Sequence, residues 1–317
     1  MDSDCKEQHC VILHGPEAIE HIRKVHNLDN EEDREKAIAI VDKWIREQKH
    51  FVKKDYSKNY IERSIITTNG SIERAKKQID RMCTVRTLMP KYFQATNLKD
   101  TDIMILLKKT YITVLPKLTK EYYRVAIVKT KPNEVATAED YTNYFKFLIF
   151  VGEYLKANDY CLGFVLIADF YDVSFTDTLS KINLVELQQF LPVMTECYGC
   201  KIKGLYLVTA SKLVEGFLKL LKPLFSEKIR NRIHAVTTRT VLKDLISADI
   251  LPVEYGGSEK PIEQLHENFI ETLSSVPTQE LMKEMNKAVT DESKRNLHIF
   301  NEQYMGMPGS FRTLSLD

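Results

Sequence analysis

Apolar residues recur at helical spacing between Asp33 and Gln48, where Ala37, Ile38, Val41, Trp44 and Ile45 form one stripe behind an acidic start. Asn59–Ile66 and Ser71–Leu88 also read as helices, separated by a break at Asn69-Gly70. Ser71 is placed to cap the second of them, and Pro90 lies just past its end. Residues up to about 96 thus predict an all-helical region. The pattern then changes. Arg124–Lys129, Gly163–Asp169 and Ile202–Thr209 are short β-branched or aromatic runs that read as buried strands. Helical stretches at Asp140–Ala157, Leu179–Cys197 and Ser211–Leu224 separate them. Strands alternating with helices predict an α/β fold whose sheet is mostly parallel. The last ~40 residues are polar and mixed, and the chain shows no internal repeat or low-complexity linker.

A chain of 317 residues suits one large domain with an accessory one. Forty-five basic and forty-four acidic residues nearly cancel, so net charge gives no reason to expect nucleic acid as the partner. The start of the chain lacks a basic stretch followed by an apolar one, and so does not read as a signal peptide. The longest apolar runs, Phe147–Gly152 and Cys161–Ala168, are far shorter than a spanning helix of ~20 residues. A soluble protein is expected. The six cysteines, at 5, 10, 83, 161, 197 and 200, are scattered in a way that suits reduced thiols in the cytoplasm. The Asn69-Gly70-Ser71 sequon is then read as a coincidence.

Motifs for chemistry are scarce. There is no phosphate-cradling glycine loop, no GxSxG elbow and no HExxH. Cys197-Tyr-Gly-Cys200 is half of a zinc site at most, and no second pair exists to complete it, so packing cysteines are expected and no metal. His234 is read as a surface or packing residue in a basic helix. Two stretches say more. Ser211–Leu224 carries a broad apolar face of Leu213, Val214, Phe217, Leu218, Leu220, Leu221 and Leu224, with lysines and Glu215 opposite; by periodicity alone it is a core helix. Residues 201–243 hold ten Lys or Arg against Glu215 and Glu227, a local charge of +8 that leaves −7 for the rest of a chain at +1. Charge runs usually form solvated faces, but this segregation beside a large apolar helix fits docking on an anionic membrane.

Several blocks resemble the CRAL-TRIO lipid-binding family. They are Leu115-Pro-Lys-Leu-Thr followed by Tyr123-Arg-Val-Ala-Ile, then Gly163-Phe-Val-Leu-Ile-Ala-Asp169 and Gly204-Leu-Tyr-Leu-Val. Leu221-Lys-Pro-Leu-Phe-Ser-Glu-Lys-Ile-Arg-Asn-Arg-Ile233 and Leu251-Pro-Val-Glu-Tyr-Gly-Gly257 complete the series. The resemblance covers roughly residues 35–275. It is closest to the α-tocopherol transfer protein and cellular retinaldehyde-binding protein branch, and the tail from Gly309 resembles insect members. It implies a helical region over residues 16–96, a lipid-binding domain over 97–275 and a C-terminal extension over 276–317. It also implies a sheet flooring a hydrophobic cavity, with Ser211–Leu224 as its mobile gate.

In Gly163–Asp169, Phe164, Leu166 and Ala168 share one face. Strand parity does not by itself decide which face meets a cavity and which an ordinary core; the resemblance assigns this one to the cavity. Leu205 on the next strand, Phe190 and Met194 between them, and Val214, Phe217 and Leu221 on the gate complete the expected wall. The resemblance further places Lys201, Lys228 and Arg232 at three basic positions that serve phosphoinositide headgroups in that branch. The fourth is Ile66 here, within Arg63-Ser-Ile-Ile-Thr-Thr. Asp172 stands where the family usually has glycine, so a rebuilt loop is expected there. Burying ~10 methylenes at ~0.8 kcal/mol each gives about 8 kcal/mol, roughly micromolar binding without a charged site or cofactor. The expected function is a monomeric, non-catalytic cytoplasmic carrier of a tocopherol-, retinoid- or carotenoid-like molecule that visits membranes transiently. The alternatives are phospholipid or phosphatidylinositol exchange and a membrane-recruiting adaptor.

Overall fold

The computed structural model describes residues 11–132, 134 and 137–295. Cys5 and Cys10 and the tail from Gly306 lie outside them. Four helices open the described chain: α1 (Pro16–Val25), α2 (Glu31–Glu47), α3 (Lys58–Thr67) and α4 (Ile72–Leu88). Local chemistry sets their starts. Ser57 Oγ accepts the Tyr60 amide and Ser71 Oγ the Arg74 amide, each satisfying a donor that the first turn leaves free. Asn69 and Gly70 take φ of 60° and 76°, which makes the sequon the turn between α3 and α4.

Helix α5 (Ile103–Lys109) then leads into β1 (Thr110–Val114) and β2 (Tyr123–Thr130). The 21-residue α6 (Ala138–Asn158) precedes β3 (Gly163–Asp169), and α7 (Phe175–Ser180) and α8 (Leu184–Pro192) precede β4 (Ile202–Val208). Helices α9 (Val214–Leu221) and α10 (Glu227–Arg230) connect β4 to β5 (Ile233–Val236). After α11 (Leu242–Leu245) come α12 (Ile262–Leu273) and α13 (Val276–Met285). The sheet runs β1-β2-β3-β4-β5, with β1 antiparallel to β2 and the other pairs parallel. The α/β architecture with a mostly parallel sheet is therefore the one expected.

Three expectations need correction. The stretch 179–197 is not one helix. Asn183 caps a new helix by accepting the Val185 and Glu186 amides, because its short side chain competes for the backbone and ends the preceding turn. Pro192 brings no N–H, and the chain widens into a π-helical turn over Val193–Cys197. The gate helix is shorter than 211–224, since Pro223 tightens its end into a 3₁₀ turn. His234 sits on β5, stacked on Tyr206 of β4 with ring centroids 5.4 Å apart. Neighbouring Arg and Lys hid a strand that pairing with β4 selects. Helix α13 lies at the start of the C-terminal extension.

The two faces of the sheet are packed differently. Val125, Ile127, Val165, Ile167, Val208 and Val236 point to one side and are buried against Ile246, Leu251, Tyr255, Ile262 and Leu265. Residues of opposite parity point toward α6 and α8. Along β3 burial alternates strictly, with Val165 and Ile167 buried and Phe164, Leu166 and Ala168 half-buried. Helix α12 covers the outer edge of β1, where the Ile112 amide donates to His266 Nδ1 at 3.1 Å. The first four helices share one apolar cluster with Phe145, Ile149, Phe190, Val193, Met285 and Ala288, so their core continues across residue 96.

Arg124 of β2 is fully buried, and its guanidinium grips Asp159 at 2.9 and 2.6 Å while also donating to the Leu115 and Pro116 carbonyls. Removing one member of such a pair strands a buried charge, at a cost of roughly 3–5 kcal/mol. Arg124→Met should lower stability by that amount in urea unfolding. Arg124→Met with Asp159→Leu should recover most of it, and a double variant no better than the single would refute this account.

Candidate functional site

Between the half-buried face of the sheet and helices α6 and α8 lies a cavity of about 270 Å³. Phe164, Leu166 and Ala168 of β3 and Leu205 of β4 form its floor, with Ala126 and Val128 of β2 beside them. Phe190 of α8 stacks on Phe145 of α6 with ring centroids 4.7 Å apart, and both rings line the void. Met194 and Tyr198, presented by the π-helical turn, close against Gly152, where an added Cβ would meet Tyr198 at 3.3 Å and Met194 at 3.4 Å. A side chain there would require both neighbours to give by a few tenths of an ångström.

Seven of the nine expected wall residues thus come together: Phe164, Leu166, Ala168, Phe190, Met194, Leu205 and Leu221. Val214 and Phe217 do not line the cavity. They lie in the cluster beneath α9, where Phe217 meets Phe175 edge-on at 5.9 Å. The helix reaches the cavity only at its C-terminal end, through Leu221, with Phe225 just beyond it. Its outer side is apolar too, with Leu213 and Leu220 more than half exposed.

The sequence reading missed the face that α6 contributes. Tyr144, Leu148, Val151 and Leu155 line the void at steps of four, three and four, a helical stripe legible in the sequence once a cavity is suspected. It also missed the polar part of the wall. Arg63, Lys156 and Asp159 line the same cavity, so the expectation of a site without charge is corrected. A wider cleft of about 450 Å³ lies between Lys53–Tyr60 and α13. It is more open to solvent and carries Lys53, Asp55 and Glu284, which pair with one another. The apolar, enclosed void is the better candidate for a water-insoluble ligand.

The three expected basic residues also lie close together. Lys201 Nζ donates to the Ile66 carbonyl at 3.1 Å, and Arg232 Nη1 to the Ile202 carbonyl at 2.6 Å. Burial, with Lys203 and Lys228 nearby, pushes the Lys201 ammonium down to about 8. Burial and Arg232 lower Lys203, a fourth cation that had not been singled out. His26 is pushed down to about 4 by burial, Lys201 and Lys203. Among the described residues none of these four cations has a carboxylate within 4.0 Å. Ile66 is buried and lines the cavity, contributing to the cluster only its carbonyl.

Asp172 is held in the loop after β3 by two cations. It accepts from Arg239 Nη2 at 2.6 Å and lies 3.4 Å from Lys129 Nζ, while Arg239 Nε holds the buried Asp169 at 2.7 Å. The hydrogen bond from Arg239 keeps Asp172 below the usual carboxylate range.

Residues 108–257 match the sequence profile of the CRAL/TRIO domain. Among curated relatives, the alpha-tocopherol transfer protein-like proteins of Pongo abelii and Homo sapiens are each 24% identical over 193 residues, 59% of this chain and 54% of theirs. That of Mus musculus is 24% identical over 170 residues, 51% of this chain and 48% of its own. The chain thus spans about half the length of the curated relatives it matches. Among solved structures, the crystal structure of Sfh5 superposes with a TM-score of 0.50 at 12% identity, covering 83% of this chain and 98% of that one, a likeness of fold.

Cys197 is buried in the π-helical turn and Cys200 lines the cavity, and burial pushes both thiols up to about 12. Thiolate is the reactive form, so both should resist alkylation. At pH 8, iodoacetamide should label Cys197 and Cys200 at least tenfold more slowly in the folded protein than in urea. Equal rates, mapped by peptide mass spectrometry, would contradict this burial.

Proposed function

We propose that this protein is a carrier that holds one hydrophobic molecule in the cavity above β3 and exchanges it at membranes, without catalysing a reaction. The observation that carries the reading is the unequal packing of the sheet, one face sealed in core and the other left against an enclosed apolar void. A helix of the β4–β5 connection closes that void and keeps an apolar outer side. The CRAL/TRIO match and the names of the relatives support a lipophilic ligand of tocopherol or related isoprenoid type. Apolar walls select by volume and shape, and burying ~10 methylenes suffices for roughly micromolar retention. The carrier works as a monomer in the cytoplasm. Among the described residues no helix is long and apolar enough to cross a membrane, and a surface encounter fits the reading.

Native mass spectrometry with lipid extraction tests retention. Protein purified from cells should carry one apolar molecule per chain. Phe164→Glu places a charge on the cavity floor and should abolish retention, with circular dichroism confirming that the variant is folded. Undiminished retention in a folded Phe164→Glu protein would defeat the assignment of the cavity.

Docking is assigned to Lys201, Lys228 and Arg232, with Leu213 and Leu220 entering the bilayer surface. Cations near an anionic surface contribute about 1 kcal/mol each, within a Debye length of ~8 Å at physiological salt. Co-sedimentation with phosphatidylserine vesicles should therefore weaken with added salt and in the triple Ala variant. It should also weaken about fivefold between pH 7 and 9.5, because Lys201 loses its proton near 8 while ordinary lysines stay charged to ~10.4. With Ile66 in place of a fourth cation, a multiply phosphorylated inositol headgroup should gain little over phosphatidylserine at equal charge density. Binding indifferent to salt, pH and the triple substitution would assign docking to the apolar side of α9 instead.

A further inference from the structure

The polar end of the cavity carries more buried positive charge than its carboxylates balance. Three buried carboxylates lie around α3 and the C-terminal half of α6, and each is engaged by an arginine. Glu62 accepts from Arg23 at 2.6 Å, Glu153 from Arg86 at 2.5 Å and Asp159 from Arg124 at 2.6 Å. Glu153 is further saturated by the hydroxyls of Tyr60 and Tyr198, each at 3.0 Å. Two more cations remain, Arg63 at 7% exposure and Lys156 at 5%, and both line the cavity. Neither has a carboxylate within 4.0 Å among the described residues.

Their present hydrogen-bond partners are neutral, while Glu62 and Asp159 act on Arg63 from beyond 4.0 Å. Arg63 donates to the Lys156 and Ala157 carbonyls at the end of α6 and lies over the Tyr160 ring. Lys156 Nζ donates to Gln78 Oε1 at 2.8 Å, an oxygen that Thr67 also uses. The C-terminal carbonyls of α6 supply a partial negative charge, about half a unit at most. That is too little for two full cations, and a buried charge without a counter-charge is costly. Burial accordingly pushes Lys156 down to about 8, partly offset by Glu153.

We propose that the cavity selects a single-chain amphiphile whose polar end is a carboxylate, seated against Lys156 and Arg63 with its apolar chain along Phe164, Leu166 and Ala168. This rests on the carrier reading of the same cavity and adds the chemistry of the ligand's head. An ionised head would give Lys156 the counter-charge it lacks and would accept charge-assisted hydrogen bonds that a neutral alcohol matches only weakly.

Equilibrium dialysis of the delipidated full-length protein at pH 7 with decanoate and decanol separates head from tail, since the chains are of equal length. The wild type should bind decanoate at least tenfold more tightly than decanol, equivalent to about 1.4 kcal/mol. That ratio should fall to about one in Lys156→Met and be largely retained in Lys156→Arg, with circular dichroism reporting the fold of each. Equal binding of both probes by the wild type would overturn the inference and leave the carrier reading standing. No binding of either would count against the carrier reading itself. A wild-type preference that survives both Lys156→Met and Arg63→Met would place the head elsewhere and overturn the seat assigned here.

Discussion

A parallel sheet has to be covered on both faces, and here the two coverings are unequal. Behind β3, Val165 and Ile167 are packed into a continuous apolar cluster with the segment from Leu242 to Leu265. In front, Phe164, Leu166 and Ala168 meet helices held away from the sheet. The two-residue period of the strand separates these roles, because a one-residue slip would exchange the residues facing the cavity floor and the core. The long helix α6, the π-helical turn after Pro192 and the closing helix α9 all take their places relative to that front face.

Holding helices off a sheet requires support, and much of it is ionic. Arg124 ties the end of α6 to β2 through Asp159, and Arg86 ties the middle of α6 to α4 through Glu153. These ties sit at the cavity's margin, where apolar packing alone would tend to collapse the space. Buried ion pairs are weak contributors to net stability, but they fix geometry, since a partner displaced by an ångström loses its hydrogen bonds while its desolvation cost remains. The tie through Asp159 helps to explain why the cavity has a polar end at all.

The strands β2, β3 and β4 were legible in the sequence because their apolar runs are continuous, as strands buried on both faces require. The helices α2, α3 and α4 were legible from their period and caps. Strand parity grouped Phe164, Leu166 and Ala168 on one face, and seven of the nine wall residues inferred with the help of family resemblance do surround one void. Val214 and Phe217 were misplaced because an amphipathic helix shows which residues it buries and not what they are buried against. His234 was misread because a short edge strand carries too few residues to declare its period, and its charged flanks imitate a helix. Arg63 and Lys156 escaped notice for another reason. A buried cation and a solvated one look alike in a sequence, and only the positions of Glu62, Glu153 and Asp159 show which cations are left over.

The Arg239 bridge has a mechanical meaning. By holding Asp169 and Asp172 beyond β3 from a position just after β5, it staples together two loops that flank the exit of β4. The excursion through α9 leaves β4 at Val208, beside that staple, and rejoins the sheet at Ile233, the opposite end of β5. The strand ends on either side of the first stem of that excursion are thus pinned to each other. The tie that fixes these strand ends is made wholly outside α9, by an arginine and two aspartates.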